Sequence, residues 1–191
     1  MVRPLPAYLA FLALLAAERA LELGLSRRNA RRLRARGAVE AGRRHHRPMV
    51  VFHAAFLAAC AAEAVASPAP PPPAAWVAVV AALGAQGLRW WAIAALGERW
   101  STRILVLPGA APVTRGPYRF LRHPNYLAVI VEMAAVPLAW GSWRVAAAFS
   151  AGNALLLAVR IHGEERALGD AWARAFRGLP RLFPGVRRDA A

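Results

Sequence analysis

The side chains best able to do chemistry are concentrated between Thr114 and Tyr126, where the chain reads TRGPYRFLRHPNY. A second polar group follows downstream: Arg160, His162, Glu164, Glu165 and Arg166. Together they offer fixed cations (Arg122, Arg160), an imidazole (His123), phenols (Tyr118, Tyr126) and carboxylates (Glu164, Glu165). Carboxylates accept hydrogen bonds from hydroxyl or amino groups, and a guanidinium fork holds a carboxylate. Such a set suits a polar small molecule with groups of both kinds. Arg160 and Glu164 are four residues apart and share a helix face if that segment is helical. Taken alone, Arg160 and Arg166 read as interfacial anchors and the glutamates as a surface pair. The case for a site rests on bringing the two groups together.

The surrounding elements do so. Pro124 fits the first turn of a helix, where its missing amide hydrogen costs nothing. His123, preceding a proline, is pushed toward an extended backbone. Its ring then sits at a helix mouth whose free amides attract anions. The apolar run 124–140 is followed by the turn Gly141-Ser142 and a second apolar run, 143–161. Two helices joined by so tight a turn form a hairpin, and the polar groups at its open end become neighbours.

Composition says what the hairpin is dissolved in. The chain has 191 residues, of which 58% are hydrophobic and 18% charged. The apolar residues are bunched, which points to lipid as the main solvent. Apolar segments at about 4–25, 49–66, 75–96, 124–140 and 143–161 give five spans. The expected fold is therefore all-α: a polytopic membrane helical bundle forming a single domain over residues 1–191. Ser67–Pro73 (SPAPPPP) cannot continue a helix and makes a stiff connector.

The formal charge of +15 comes from arginine, since the chain has no lysine. Arginine at that excess fits nucleic-acid phosphates, but its placement argues otherwise. The arginines cluster in 26–48, 97–123 and 160–188, between or after the apolar runs. Five alternating spans put all three stretches on one side, as the positive-inside rule requires. The expectation is an integral membrane protein, N-terminus outside. The basic loop 26–48, the segment 162–191 and the two polar groups then face the cytoplasm. The arginines of 26–48 are spaced for a solvated cytoplasmic helix with a turn at Gly37 and Gly42; as a surface helix it can also hold lipid headgroups. Cys60, the lone cysteine, reads as a small core residue, and no metal site can be assembled from cysteine.

At the two polar groups the sequence resembles the isoprenylcysteine carboxyl methyltransferase family, whose wider group includes phospholipid N-methyltransferases. The pattern is carried by Gly116-Pro117-Tyr118, Arg122-His123-Pro124-Asn125-Tyr126, Arg160 and Glu164-Glu165, with a span hairpin between. The common pattern has glycine two residues after the motif tyrosine; here that position is Ala128. Arg19–Glu22, Ser26–Asn29, Gly37–Glu40 and Gly97–Trp100 resemble a bacterial branch associated with type III polyketide synthases. The resemblance implies S-adenosylmethionine as cofactor, held by Tyr118, Arg122, His123, Tyr126, Glu164 and Glu165. It implies catalytic roles for Arg160, His123 and Glu165, with no metal. It further implies methylation of a lipophilic small-molecule acceptor drawn from the bilayer, such as an alkylresorcinol or alkylpyrone phenol or a prenylcysteine-like carboxylate.

Acceptor chemistry divides these options. A carboxylate arrives ionised, whereas a phenol, with a pKa near 10, needs its proton removed. His123, His53 and Glu132 are candidate bases, and Glu132 is expected to line the cavity or pair with Arg89. His53 also reads as a core histidine. Two other function classes compete. An NADPH-dependent lipid or steroid reductase also carries His-Pro-Asn-Tyr, but follows it with an aromatic residue, glycine and glutamate where this chain has Leu127-Ala128-Val129. A non-enzymatic membrane adaptor leaves the clustered His, Tyr and Glu residues unexplained. A soluble Rossmann enzyme is excluded because no glycine-rich nucleotide loop follows a strand.

Overall fold

The computed structural model describes residues 5–67 and 71–183, with the side chains of 43–45 outside the description. Pro4 of the first expected span, residues 68–70 of the proline-rich connector and residues 184–191 of the basic tail lie outside the described residues.

The architecture is an all-α bundle of five helices with one small strand pair. Helix α1 spans Leu5–Ala35, α2 Arg43–Ala66, α3 Ala75–Leu96, α4 Pro124–Leu138 and α5 Trp143–Ala175. Three helical stretches are long and apolar enough to cross a membrane: His46–Ala66, Ala75–Arg99 and Trp143–Ala175. Most of their residues point outward, as lipid requires. Leu83, Val51, Leu155 and Val159 are all more than half exposed. Trp76 and Trp143, at the starts of α3 and α5, are also exposed and suit a membrane interface.

Several boundaries differ from the sequence expectation. The first helix does not stop near residue 25 but continues through the arginines to Ala35. Its 31 residues measure about 46 Å, far beyond the hydrocarbon thickness. The arginine-rich stretch is helical up to the turn at Gly37, as its spacing suggested, but it continues the first span without a break, because arginine is a good helix former. The helix ends where Ala38 N donates to Leu33 O (2.9 Å) and Gly37 N to Arg34 O (3.0 Å), a closing pair that glycine favours. Helix α2 begins before Pro48 rather than after it.

Helix α4 is shorter than the expected 124–140. It has 15 residues, about 22 Å, and is enclosed by α3 and α5 rather than presented to lipid. Tyr8 of α1 donates to the Val136 carbonyl (3.0 Å) and stacks on Trp140 at 5.1 Å. Helix α5 runs well past residue 161, so the start of the expected 162–191 segment is helical. It breaks at Gly169, whose φ of 70° is open to glycine, and the last turn swings back over the hairpin's open end.

Among the described residues, β1 (Val39–Ala41) pairs antiparallel with β2 (Ile104–Val106), Glu40 opposite Leu105. Glu40 accepts from Arg34 (2.5 Å) and Arg103 (2.7 Å). Burial raises the Glu40 carboxyl pKa, yet the two arginines hold it below its ordinary 4.5. The pair ties the α1–α2 loop to the α3–α4 loop at the end where the polar residues gather.

Candidate active site

His123 caps α4 with φ −130° and ψ 62°, outside the helical region that its proline neighbour disfavours though short of the fully extended backbone expected. Its amide donates to the Arg181 carbonyl at 3.0 Å, which fixes the backbone. Its ring lies between two aromatics, stacked on Tyr126 at 5.2 Å and tilted against Trp172 at 5.5 Å. Nε2 meets Glu165 Oε1 at 3.1 Å. Glu165 in turn accepts from Arg181 Nη2 (2.6 Å) and Nε (3.1 Å).

One turn into α4, the Tyr126 hydroxyl joins the two polar groups of the sequence. It donates to Glu164 and accepts from Arg160 Nε at 2.8 Å. Arg160 Nη2 donates to the Thr102 carbonyl at 2.7 Å. Tyr126 and Arg160 are buried, so these are low-dielectric contacts with few competing waters. Arg160 and Glu164 thus share a helix face as expected, and the phenol between them links them.

These residues wall one cavity of about 890 Å³, within the range of small-molecule sites. Tyr118, Arg122, His123, Tyr126, Arg160 and Glu164 all line it. Glu165 is not among its lining residues; it sits behind His123 and orients the ring. Arg122 contributes less freely than its charge suggests, since Nε is committed to the Leu179 carbonyl at 2.7 Å. Tyr118 is held by Gly116, where a Cβ would lie 2.8 Å from Ala95 Cβ at a φ of +62°. Ala128 is fully buried and is not a lining residue, so its extra methyl does not reshape the cavity.

The same cavity extends away from this group along α4. His53 lines it, with Nδ1 against the Met49 carbonyl at 2.8 Å. Glu132 is paired with Arg89 at 2.5 Å, the partner expected from sequence. Sequence reasoning missed several contributors. Trp172 and Phe176 line the cavity, and their only signal was an aromatic pair at i, i+4 after a glycine. Thr102 acts through its carbonyl, which no side-chain pattern reveals. Asn125 Oδ1 is buried without a hydrogen-bond partner beside the same space.

Comparison with known proteins matches the stretch of sequence that carries these residues to a family. The Isoprenylcysteine carboxyl methyltransferase (ICMT) family pattern covers residues 76–170, which include Tyr118 through Tyr126 and the arginine-glutamate group of α5. The uncharacterized protein YpbQ of Bacillus subtilis (strain 168) is 37% identical over 158 residues, covering 82% of this chain and 94% of that protein. An uncharacterized protein of Haemophilus influenzae is 27% identical over 164 residues, covering 85% of this chain and 95% of its own length. The chain belongs to the isoprenylcysteine carboxyl methyltransferase (ICMT) family and is an integral membrane methyltransferase.

Proposed function

We propose that this protein is an S-adenosylmethionine-dependent O-methyltransferase acting on a lipophilic acceptor drawn from the bilayer. The acceptor classes are phenolic polyketide lipids of the alkylresorcinol or alkylpyrone type and prenylcysteine-like carboxylates. The observation that carries the reading is the Tyr126 hydroxyl, which holds Arg160 and Glu164 on the wall of a cavity reaching from the helix mouth toward the apolar core.

The residues present fit that cofactor. Glu164 and the partnerless Asn125 Oδ1 are acceptors suited to ribose hydroxyls or an amino group. Trp172, Phe176 and Tyr118 offer aromatic faces for an adenine ring or a sulfonium. Arg122 and the amides at the α4 mouth suit a carboxylate. The bound cofactor supplies an activated methyl group whose sulfur leaves without acid assistance. The protein's work is then alignment and exclusion of water. In this reading Arg160 and His123 face the reactants, and Glu165 is a positioning residue acting through His123.

The membrane is a bacterial inner membrane, with the N-terminus outside and the site facing the cytoplasm. A cysteine placed at Thr114 is then labelled by an impermeant thiol reagent only from the cytoplasmic side. Cys60 is buried and gives little background. Labelling from the outside reverses the assignment.

Calorimetric titration of the detergent-solubilised protein with S-adenosylhomocysteine and, separately, NADPH tests the cofactor. Binding of the first supports the reading, and binding of NADPH alone overturns it. Transfer of a labelled methyl group into total lipid extract, resolved by mass spectrometry, identifies the acceptor.

A further inference from the structure

The second polar group on the cavity wall is not accounted for by cofactor binding. Arg19 and Glu22 of α1 and Arg89 of α3 line the cavity, six residues deeper along α4 than Tyr126 if measured at Glu132. That is about 9 Å of helix rise. Arg89 bonds Glu132 at 2.5 Å and approaches Glu22 at 3.7 Å. Arg19 lies 3.1 Å from Glu22 and donates to Gln86 at 3.1 Å. Glu18 receives Gln86 and Trp90.

The arrangement is incomplete. Glu22 and Arg89 are each 4% exposed. Glu22 Oε1, Arg89 Nε and Arg19 Nε are buried with no hydrogen-bond partner. Unpartnered polar atoms at such depth are costly. Two arginines face three carboxylates (Glu18, Glu22, Glu132), leaving one negative charge in surplus.

Those orphans specify a ligand group. An added carboxylate deepens the negative surplus and meets Glu22 Oε1 with no proton to give. An ammonium satisfies Glu22 but offers no lone pair to the guanidiniums. A neutral, acidic hydroxyl does both: it donates to Glu22 and accepts from an arginine, and the arginine then stabilises the oxygen as it loses its proton. One cavity and a chain of contacts join this position to the methyl-transfer end. Glu22 lies one helical turn, roughly 6 Å, before Ser26. Ser26 Oγ contacts Thr102 Oγ1 at 2.8 Å, and the Thr102 carbonyl holds Arg160 at 2.7 Å.

We infer that Arg19, Glu22 and Arg89 form the acceptor subsite for a phenolic or enolic hydroxyl, with Glu22 as its proton acceptor. This rests on the methyltransferase reading above. The acceptor's O–H bond breaks and its proton passes to Glu22. The oxygen's electron pair forms the new O–CH3 bond as the methyl–sulfur bond breaks, and that bond's pair stays on sulfur. Glu22 returns the proton to water when product leaves. Of the bases considered from sequence, Glu132 is committed to Arg89 and His123 to Glu165; His53 Nδ1 donates to the Met49 carbonyl, which leaves its Nε2 as the rival base that the test below separates from Glu22.

The test uses the full chain in detergent with 5-pentylresorcinol as acceptor probe. Glu22→Gln should bind S-adenosylhomocysteine within about twofold of the parent while turnover falls about 100-fold or more. Its residual rate should climb about tenfold per pH unit toward the phenol's own pKa, as free phenolate replaces the lost base. A merely structural glutamate shows no such rescue. Should Glu22→Gln not fold, the parent protein decides: it should bind 5-pentylresorcinol at least tenfold more tightly than its dimethyl ether and than N-acetyl-S-farnesylcysteine. Equal binding of the three, near-parental turnover of Glu22→Gln, or the pH rescue appearing in His53→Gln instead overturns the inference. Loss of S-adenosylhomocysteine binding in the parent sinks the cofactor reading, while the resorcinol preference still reports on the subsite by itself.

Discussion

The junction at Tyr126 can be tested by removing a single oxygen. Tyr126→Phe keeps the ring stacked on His123 (5.2 Å) but deletes the hydroxyl that accepts from Arg160 Nε (2.8 Å) and donates to Glu164. A hydrogen bond to a charged group contributes about 1.5–3 kcal/mol, and stranding a buried donor costs about the same. Arg160 keeps its bond to the Thr102 carbonyl (2.7 Å), so the guanidinium is not wholly abandoned. A loss near 2 kcal/mol follows, which for a chain of this length lowers the melting temperature by about 4–8 °C. The decisive assay is a double-mutant cycle with Arg160→Met, read by thermal unfolding in detergent. The geometry requires a coupling of about 1.5–3 kcal/mol between the two changes. Coupling below about 0.5 kcal/mol would refute the idea that the phenol ties the α4 and α5 clusters together.

Three further outcomes follow. Gly116→Ala should destabilise the protein by about 1–3 kcal/mol, because its Cβ meets Ala95 at 2.8 Å at a φ of +62°; parental stability in chemical denaturation contradicts that. Arg89→Met should cost about 3–5 kcal/mol by leaving Glu132, its 2.5 Å partner, uncompensated. The double change Arg89→Met with Glu132→Leu should be milder, which unfolding of both variants checks. Because the Glu40 pKa is depressed in the fold, the stability it contributes is complete above the ordinary value of 4.5 and is lost as pH falls through the lowered one. The protection factor of the Ala41 amide, which removes the intrinsic pH dependence of exchange, should therefore fall on acidification below the ordinary carboxyl value in the parent but stay flat in Glu40→Gln.

The sequence by itself determined the materials and much of the plan. Clustered apolar residues with arginine in the gaps dictated helices in lipid, because no other open structure satisfies its backbone there. Pro124 located the start of α4 and the pose of His123, since a proline restricts both itself and its predecessor. The boundaries of α3 were readable because proline precedes it and glycine follows. The Arg122–Tyr126 and Arg160–Glu165 groups were legible as one site once Gly141-Ser142 was read as a tight turn.

Tertiary structure decided what no local pattern encodes. The arginines after Ser26 have helical spacing, but only the fold joins them to the first span as one helix running to Ala35. Whether Glu164 or Glu165 faces the cavity was open from spacing alone. The fold gives Glu164 to Tyr126 and Glu165 to His123 and Arg181, because the chain after Gly169 turns back over the helix mouth. Arg19 and Glu22 stood out in the sequence only through their resemblance to a bacterial branch. Only the packing of α1 against α3 and α4 turns them inward to meet Arg89 and Glu132, and no residue's own sequence neighbours specify a contact made across three helices.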